Sequence, residues 1–230
     1  MTPRSHKYVL FLLSSAGEIG PNQRKTGYYL PEVAHPLDEF ERAGHTVDFA
    51  SPAGGAPPMY GYDAKDASSR ALVESRAFAR LNNSRRLADV DLEAYDAIFV
   101  PGGLGPMVDL ATDPLTHRAL ARFFETDRVV GAVCHGPAAL LNVRLSGGAH
   151  LVEGKKLTAF SDIEEHATTV KDVPFLLESS LRRHGAQIST VAAWQAHVVV
   201  DGKLVTGQNP ASAAGVGRAM VELLGSAAGM

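Results

Sequence analysis

Three runs in this chain, residues 8–14, 95–100 and Val129–Val133, are apolar at nearly every position. A strand with one wet face alternates apolar and polar residues, so a run without a polar face has to be covered on both sides. Segments with helical spacing lie between these runs. Pro31 opens one and Gly44 closes it, in the proline-start and glycine-stop sense. This succession of buried strands and helices predicts the α/β class: a doubly wound, mostly parallel sheet sandwiched by helices.

Residues 46–50 and 156–160 read as further strands, and 114–126, 136–142, 162–169, 174–184 and 210–224 as helices. The polar, Ala- and Arg-rich stretch 66–86 reads as one surface helix. Residues 197–200 and 203–206 flank Asp201-Gly202, a strong short-range hairpin signal, so a β-hairpin is expected appended to the sheet. There are no repeats or charge blocks, and the expectation is a single domain over 1–230.

The 22 basic and 25 acidic residues leave a net charge of -3, with no basic stripe to neutralise a row of phosphates. No nucleic-acid partner is expected. Cys134 is the only cysteine, which forbids an intrachain disulfide and fits a reducing, cytoplasmic setting. Arg4, His6 and Lys7 before the apolar residues 8–13, with Ser14-Ser15-Ala16 behind, imitate a signal peptide. Six apolar residues fall short of the roughly 7 to 15 of a secretory core and the roughly 20 of a membrane span, so the run reads as a buried strand and no membrane is expected.

Val129-Val-Gly-Ala-Val-Cys-His-Gly-Pro137 runs strand, nucleophile, tight turn, helix. That is the order of a nucleophile elbow with cysteine in place of serine, which predicts a strained Cys134 backbone and an exposed sulfur. Amides at the start of the following helix are expected to favour the thiolate, lowering its pKa from about 8.5. Backbone N–H groups of His135 and Gly103 are candidates to hold an oxyanion, and a side chain at position 103 is expected to obstruct that approach. The plain alternative is a small buried residue in an apolar strand; glycines around Cys134-His135 favour the turn. Candidates for a general base are Glu18, Glu32, Glu164, Glu165 and the His135 side chain, although Glu32 also suits a helix start and Glu164-Glu165 a solvated face.

No His-Glu-x-x-His or Cys-x-x-Cys spacing occurs, and Glu165-His166 does not make a metal site, so no metal is expected. His166 reads as a surface residue, His184 as a helix C-terminal charge, His150 as a loop residue and Trp194 as core or pocket wall. The glycine-rich segments 53–55 and 102–105 lack the Lys-Ser/Thr of a phosphate loop.

Together, Lys25-Thr-Gly-Tyr-Tyr-Leu-Pro-Glu32 with His35-Pro36, the Pro101-Gly-Gly turn, Ala132-Val-Cys-His-Gly-Pro137, Phe160-Ser-Asp-Ile-Glu-Glu165 and Asp201-Gly-Lys-Leu-Val-Thr-Gly-Gln-Asn-Pro-Ala-Ser212 carry a resemblance. The chain resembles the ThiJ/PfpI superfamily, with its flavodoxin-like, glutamine amidotransferase-like fold. Within it, the chain resembles the branch of heat-shock chaperones and glutathione-independent glyoxalase III. The resemblance implies Cys134 as nucleophile beside His135, Glu32 as a protonated or proton-shuttling carboxyl, and Glu165 orienting His135. It implies no cofactor, a homodimer, and a small carbonyl substrate such as methylglyoxal, converted to a 2-hydroxy acid through a hemithioacetal. The same apparatus would hydrolyse an aminocarbinol on glycated protein. Other roles on this fold are a stress-response holding chaperone or thiol redox sensor, and a cysteine-dependent amidase, peptidase or hydratase. One departure stands out: glyoxalase-like relatives often carry Gly-His-Gly where this chain has Gly103-Leu104-Gly105, which makes the pocket more apolar.

Overall fold

The apolar runs become the middle of one sheet. A computed structural model describes residues 6–226, so Arg4 of the signal-like stretch lies outside the described residues. The strands are β1 (Tyr8–Leu12), β2 (Thr46–Ser51), β3 (Arg85–Arg86), β4 (Ala97–Val100), β5 (Val129–Val133), β6 (Val198–Asp201) and β7 (Leu204–Gly207). They form a seven-stranded sheet in the order β6-β7-β5-β4-β1-β2-β3. All neighbours are parallel except β6 and β7, the hairpin, whose second strand pairs with β5 and whose first forms the edge.

Burial on both faces explains why these runs carry no polar alternation. Val9 and Phe11 of β1 enter one core, with Val33 and Phe40 of α1 (Pro31–Arg42) and Val216 and Met220 of α7 (Ala213–Ser226). Leu10 and Leu12 enter the other, with Leu120 and Phe123 of α4 (Pro114–Glu125) and Leu177 and Leu181 of α6 (Leu177–Arg183). The remaining helices are α2 (Ala67–Val73), α3 (Arg76–Leu81) and α5 (Asp162–Thr168). From β1 the chain steps outward to β2 and β3, then returns to the other side of β1 for β4 and β5. Loops at the carboxyl ends of β1 and β4 therefore part, opening the crevice where open α/β sheets hold ligands.

Several expected elements differ in extent. Residues 66–86 do not form one helix, because the Ser75 hydroxyl accepts the N–H groups of Ala77 at 3.1 Å and Phe78 at 3.4 Å, starting α3 anew. Arg85–Arg86 then leaves as an edge strand on β2. Only Lys156–Leu157 of the expected strand 156–160 is extended, paired with Gln187–Ile188 outside the main sheet. The helix expected over 136–142 is a 3₁₀ turn, Gly136–Leu140.

Gly131 lets α7 lie directly on β5: a Cβ there would overlap the Met220 thioether and press on Phe99. Gly131→Ala is therefore expected to cost about 1–3 kcal/mol of stability. In the background of Met220→Ala, which vacates that space, the cost is expected to shrink, a coupling that urea unfolding of the four-member cycle reads directly.

Candidate active site

Cys134 follows β5 in the left-handed region, at φ +60, a conformation worth roughly 1–3 kcal/mol of strain for a residue with a Cβ. Its neighbours hold it there. The Cys134 N–H donates to Gly207 O at 2.9 Å, and its carbonyl accepts the Phe160 N–H at 2.9 Å. At Gly136 a Cβ would overlap the Val100 carbonyl, so only glycine lets the chain turn this close to β4. The elbow is present, but the sulfur is not displayed on the surface: Cys134 is 4% exposed, at the floor of a cavity of about 270 Å³. Tyr29, Tyr60, Leu104, Phe160 and Trp194 wall it.

His135 is buried beside Cys134. Its Nδ1 lies 3.4 Å from Cys134 Sγ, and its Nε2 lies 3.0 Å and 3.2 Å from the two Glu165 oxygens. Glu165 sits in the first turn of α5 and also accepts the Thr169 hydroxyl. The Phe160 ring, 4.4 Å away, packs against the imidazole. With Nε2–H donated to Glu165, the imidazole turns its Nδ1 toward the thiol.

Glu32 arrives from the first turn of α1, fully buried, and its Oε2 accepts the Gly102 N–H at 2.8 Å. Its Oε1 has no partner. Burial pushes the Glu32 carboxyl up to about 8, against the lowering effect of the neighbouring Cys134 thiol and the Gly102 amide. Burial also pushes the Cys134 thiol well up, reinforced by Glu32 and opposed by the amides of His135 and Gly103, which face the sulfur. The expected low thiol pKa is thereby reversed: five residues of 3₁₀ turn supply too little dipole to offset burial beside an acid. Gly103 is needed for another reason than the one expected. Its φ is +91 and a Cβ would overlap Gly27 O and sit 2.7 Å from Tyr29 N, so the obstruction falls on the segment leading to Glu32.

The other candidate bases lie elsewhere. Glu18 pairs with Lys25 on an exposed two-stranded ribbon. Neither Glu164 nor Glu165 forms a solvated face, since both are fully buried. Glu164 turns away from the cavity and accepts Ser161 Oγ at 2.7 Å, Trp194 N at 2.8 Å and Asn209 Nδ2 at 2.8 Å. Burial pushes its carboxyl up, and these donors outweigh burial and leave it below the usual range. Glu164 is thus the anchor that ties Trp194 and the β7 exit to α5. His166 is exposed, and His184 Nδ1 lies 2.8 Å from Ser180 O at the end of α6. Trp194 is a pocket wall, half open to solvent. Among the described residues no group of three or more His, Cys, Asp and Glu side chains is arranged to hold a metal.

Two residues were missed. Thr169 stands four positions after Glu165, a helical spacing that could have revealed it. Tyr60 comes from the loop after β2, and nothing in its local sequence shows that Met59–Tyr60 bridges to Tyr28–Tyr29 beside the site.

The raised acids make two pH effects calculable in sign. Because Glu32 holds its proton more tightly folded than unfolded, its contribution to stability falls as pH rises from about 4.5 to about 8. Urea unfolding is expected to show that fall in the natural chain and to lose it in Glu32→Gln. Alkylation of Cys134 by iodoacetamide, followed by mass spectrometry, is expected to be slow at neutral pH and to accelerate as pH rises; removing the ionisable neighbour in Glu32→Gln shifts the acceleration to lower pH.

Comparison with known proteins places this geometry. The model of the DJ-1/PfpI family matches residues 26–223. Among curated proteins, Glyoxalase 3 of Candida albicans is 30% identical over 223 residues, covering 89% of this chain and 93% of that protein. A glutathione-independent glyoxalase of Saccharomyces cerevisiae is 29% identical over 227 residues, covering 90% and 93%. Among solved structures, the Rapid Encystment Protein 24 kDa of Francisella tularensis superposes with a TM-score of 0.91 at 33% identity, over 95% of this chain and 99% of that one. The crystal structure of glyoxalase III from Candida albicans gives 0.85 at 27% identity, over 94% and 97%. With its mostly parallel sheet, its cysteine elbow and a family match over most of its length, the chain belongs to the DJ-1/PfpI family.

Proposed function

We propose that the chain is a cofactor-independent, glyoxalase III-like enzyme that converts methylglyoxal or a related 2-oxoaldehyde to a 2-hydroxy acid through a hemithioacetal on Cys134. One observation carries this reading: a sulfur, an imidazole and the buried Glu32 carboxyl converge on one cavity, with Glu165 behind the imidazole. Relatives at about this level of similarity bear the name glyoxalase. A concave pocket walled by aromatic side chains suits turnover of a small molecule better than it suits the holding of an unfolded chain.

The chemistry follows from the protonation states. As the aldehyde meets Sγ, the thiol proton passes to His135 Nδ1, and Glu165 stabilises the imidazolium. The S–C bond forms and the carbonyl pair moves onto oxygen, faced by the amides of Gly103 and His135. Glu32, neutral at neutral pH, gives its proton to that oxygen. The carboxylate so formed takes the proton from the first carbon; that electron pair becomes a C=C bond and the second carbonyl's pair moves onto its own oxygen. Glu32 returns that proton to the second carbon while the hydroxyl proton on the first oxygen passes to the second, so the first oxygen forms the C=O of a lactoyl thioester; water then adds to that carbon and gives one proton to the Glu32 carboxylate, the C–S bond breaks, and the sulfur takes back its proton from His135. Each well-placed proton transfer is worth roughly 100- to 10,000-fold.

The reading includes a reducing, cytoplasmic setting, supported by the single cysteine, and a homodimer, supported by the family resemblance. No helix among the described residues is long and apolar enough to cross a membrane. Purified protein is expected to form lactate from methylglyoxal without glutathione and in the presence of a chelator. Cys134→Ala and Glu32→Gln are expected to abolish turnover, and Glu165→Gln to lower kcat by roughly 100- to 10,000-fold. Turnover that survives Cys134→Ala would overturn the reading.

A further inference from the structure

The mechanism above holds the first carbonyl oxygen of the substrate between two amides but leaves the second oxygen without a donor. That second oxygen gains the charge when the proton leaves the first carbon. A hydrogen-bond donor reaching it is therefore worth more in the transition state than in the ground state.

Tyr60 is built to reach it. Its side chain lines the same cavity as Cys134, Glu32 and Leu104. Met59–Tyr60 is fastened in parallel to Tyr28–Tyr29, and Tyr60 O accepts the Leu30 N–H at 3.0 Å, one peptide before the helix that carries Glu32. The ring packs on Tyr29, centroids 5.3 Å apart at 52°. Gly61, at φ +83, has no Cβ that would overlap the Tyr29 ring, so the pair of phenols can close on each other. On the far side the Leu104 amide faces the Tyr60 oxygen, which leaves the hydroxyl proton to point elsewhere. Leu104 itself offers only a hydrocarbon side chain to the cavity, so its neighbour Tyr60 supplies the polar group on that wall.

We propose that Tyr60 is a further catalytic residue, its hydroxyl donating a hydrogen bond to the second carbonyl oxygen of a 2-oxoaldehyde held on Cys134, so that the site favours adjacent dicarbonyls over simple aldehydes. The inference rests on the glyoxalase reading and deepens it. No proton leaves the phenol: the C–H pair forms the C=C bond, the carbonyl pair moves onto the second oxygen, and Tyr60 stabilises the charge that results. Burial and the acids of Cys134 and Glu32 hold the phenol well above its ordinary range, so it stays a donor wherever the enzyme is folded.

The test is Tyr60→Phe, first shown to match the natural chain in its urea unfolding midpoint. Its kcat for lactate formation from methylglyoxal is expected to fall on the order of 100-fold. A second measurement needs no turnover: the concentration of aldehyde that protects Cys134 from iodoacetamide. For methylglyoxal it is expected to rise roughly tenfold in Tyr60→Phe, the effect of about one hydrogen bond, while for propionaldehyde, which lacks the second oxygen, it stays unchanged, as does alkylation without aldehyde. Unchanged kcat and protection would overturn the role of Tyr60 and leave the glyoxalase reading standing. Equal loss of protection by both aldehydes would also overturn it, marking a merely structural residue. If the natural chain forms no lactate, the glyoxalase reading falls, and selective loss of methylglyoxal protection in the variant still upholds Tyr60 as a dicarbonyl donor. No protection of the natural chain by either aldehyde would overturn both.

Discussion

One unfavourable backbone conformation organises this protein. Cys134 is forced to φ +60 where β5 ends, and the structure around it exists to hold that turn. Gly136 permits the close approach to β4, Gly207 O takes the Cys134 N–H, and Phe160 N–H takes its carbonyl. The strain of roughly 1–3 kcal/mol is small against the cohesion of a sheet buried on both faces, so the fold tolerates it. The turn sets the sulfur against the loop after β4 and the start of α1, where the amides and the acid are found. Without the turn the thiol would continue along the strand into the core and meet only hydrocarbon.

Charge in the site is controlled mainly by burial. Three buried carboxyls surround it and each has a different fate, decided by its donors. Glu164 has a full set and is held as a carboxylate. Glu165 has His135 and Thr169. Glu32 has one amide and an orphaned second oxygen, and its carboxyl is pushed up to about 8. Identical side chains thus meet three different environments: a full set of donors, an imidazole with a hydroxyl, and a single amide. The same burial raises the thiol, so the sulfur and the acid beside it are both held toward their neutral forms.

The central strands were legible because their lack of polar alternation has one physical meaning, and the hairpin because Gly202 can adopt the positive φ its two-residue turn demands. The elbow was legible as a strand followed by a crowded turn. Glu32 and Glu165 stand among several candidate bases in the sequence, and only resemblance to a family singles them out, since no local spacing joins residues this far apart in the chain. Glu164 and Glu165 could not be told apart in the sequence: adjacent helical positions point about 100° apart, and which one meets His135 depends on how α5 docks. The thiol was misjudged for a similar reason. The turn after it was read as an α-helix with a useful dipole, while burial, which decides its pKa, belongs to the assembled fold. The stretch 66–86 divided because Ser75 satisfied the backbone of its own next turn, a local competition that overall composition conceals.

The amide of Cys134 is held by Gly207, far downstream of it in the chain, and the strand of Gly207 pairs directly with β5. During synthesis the sulfur therefore leaves the ribosome long before the strand that completes its setting. Until β7 pairs with β5, the Cys134 amide lacks the carbonyl that holds it in the turn. Fixing of the Cys134 turn and pairing of β7 with β5 are therefore one event.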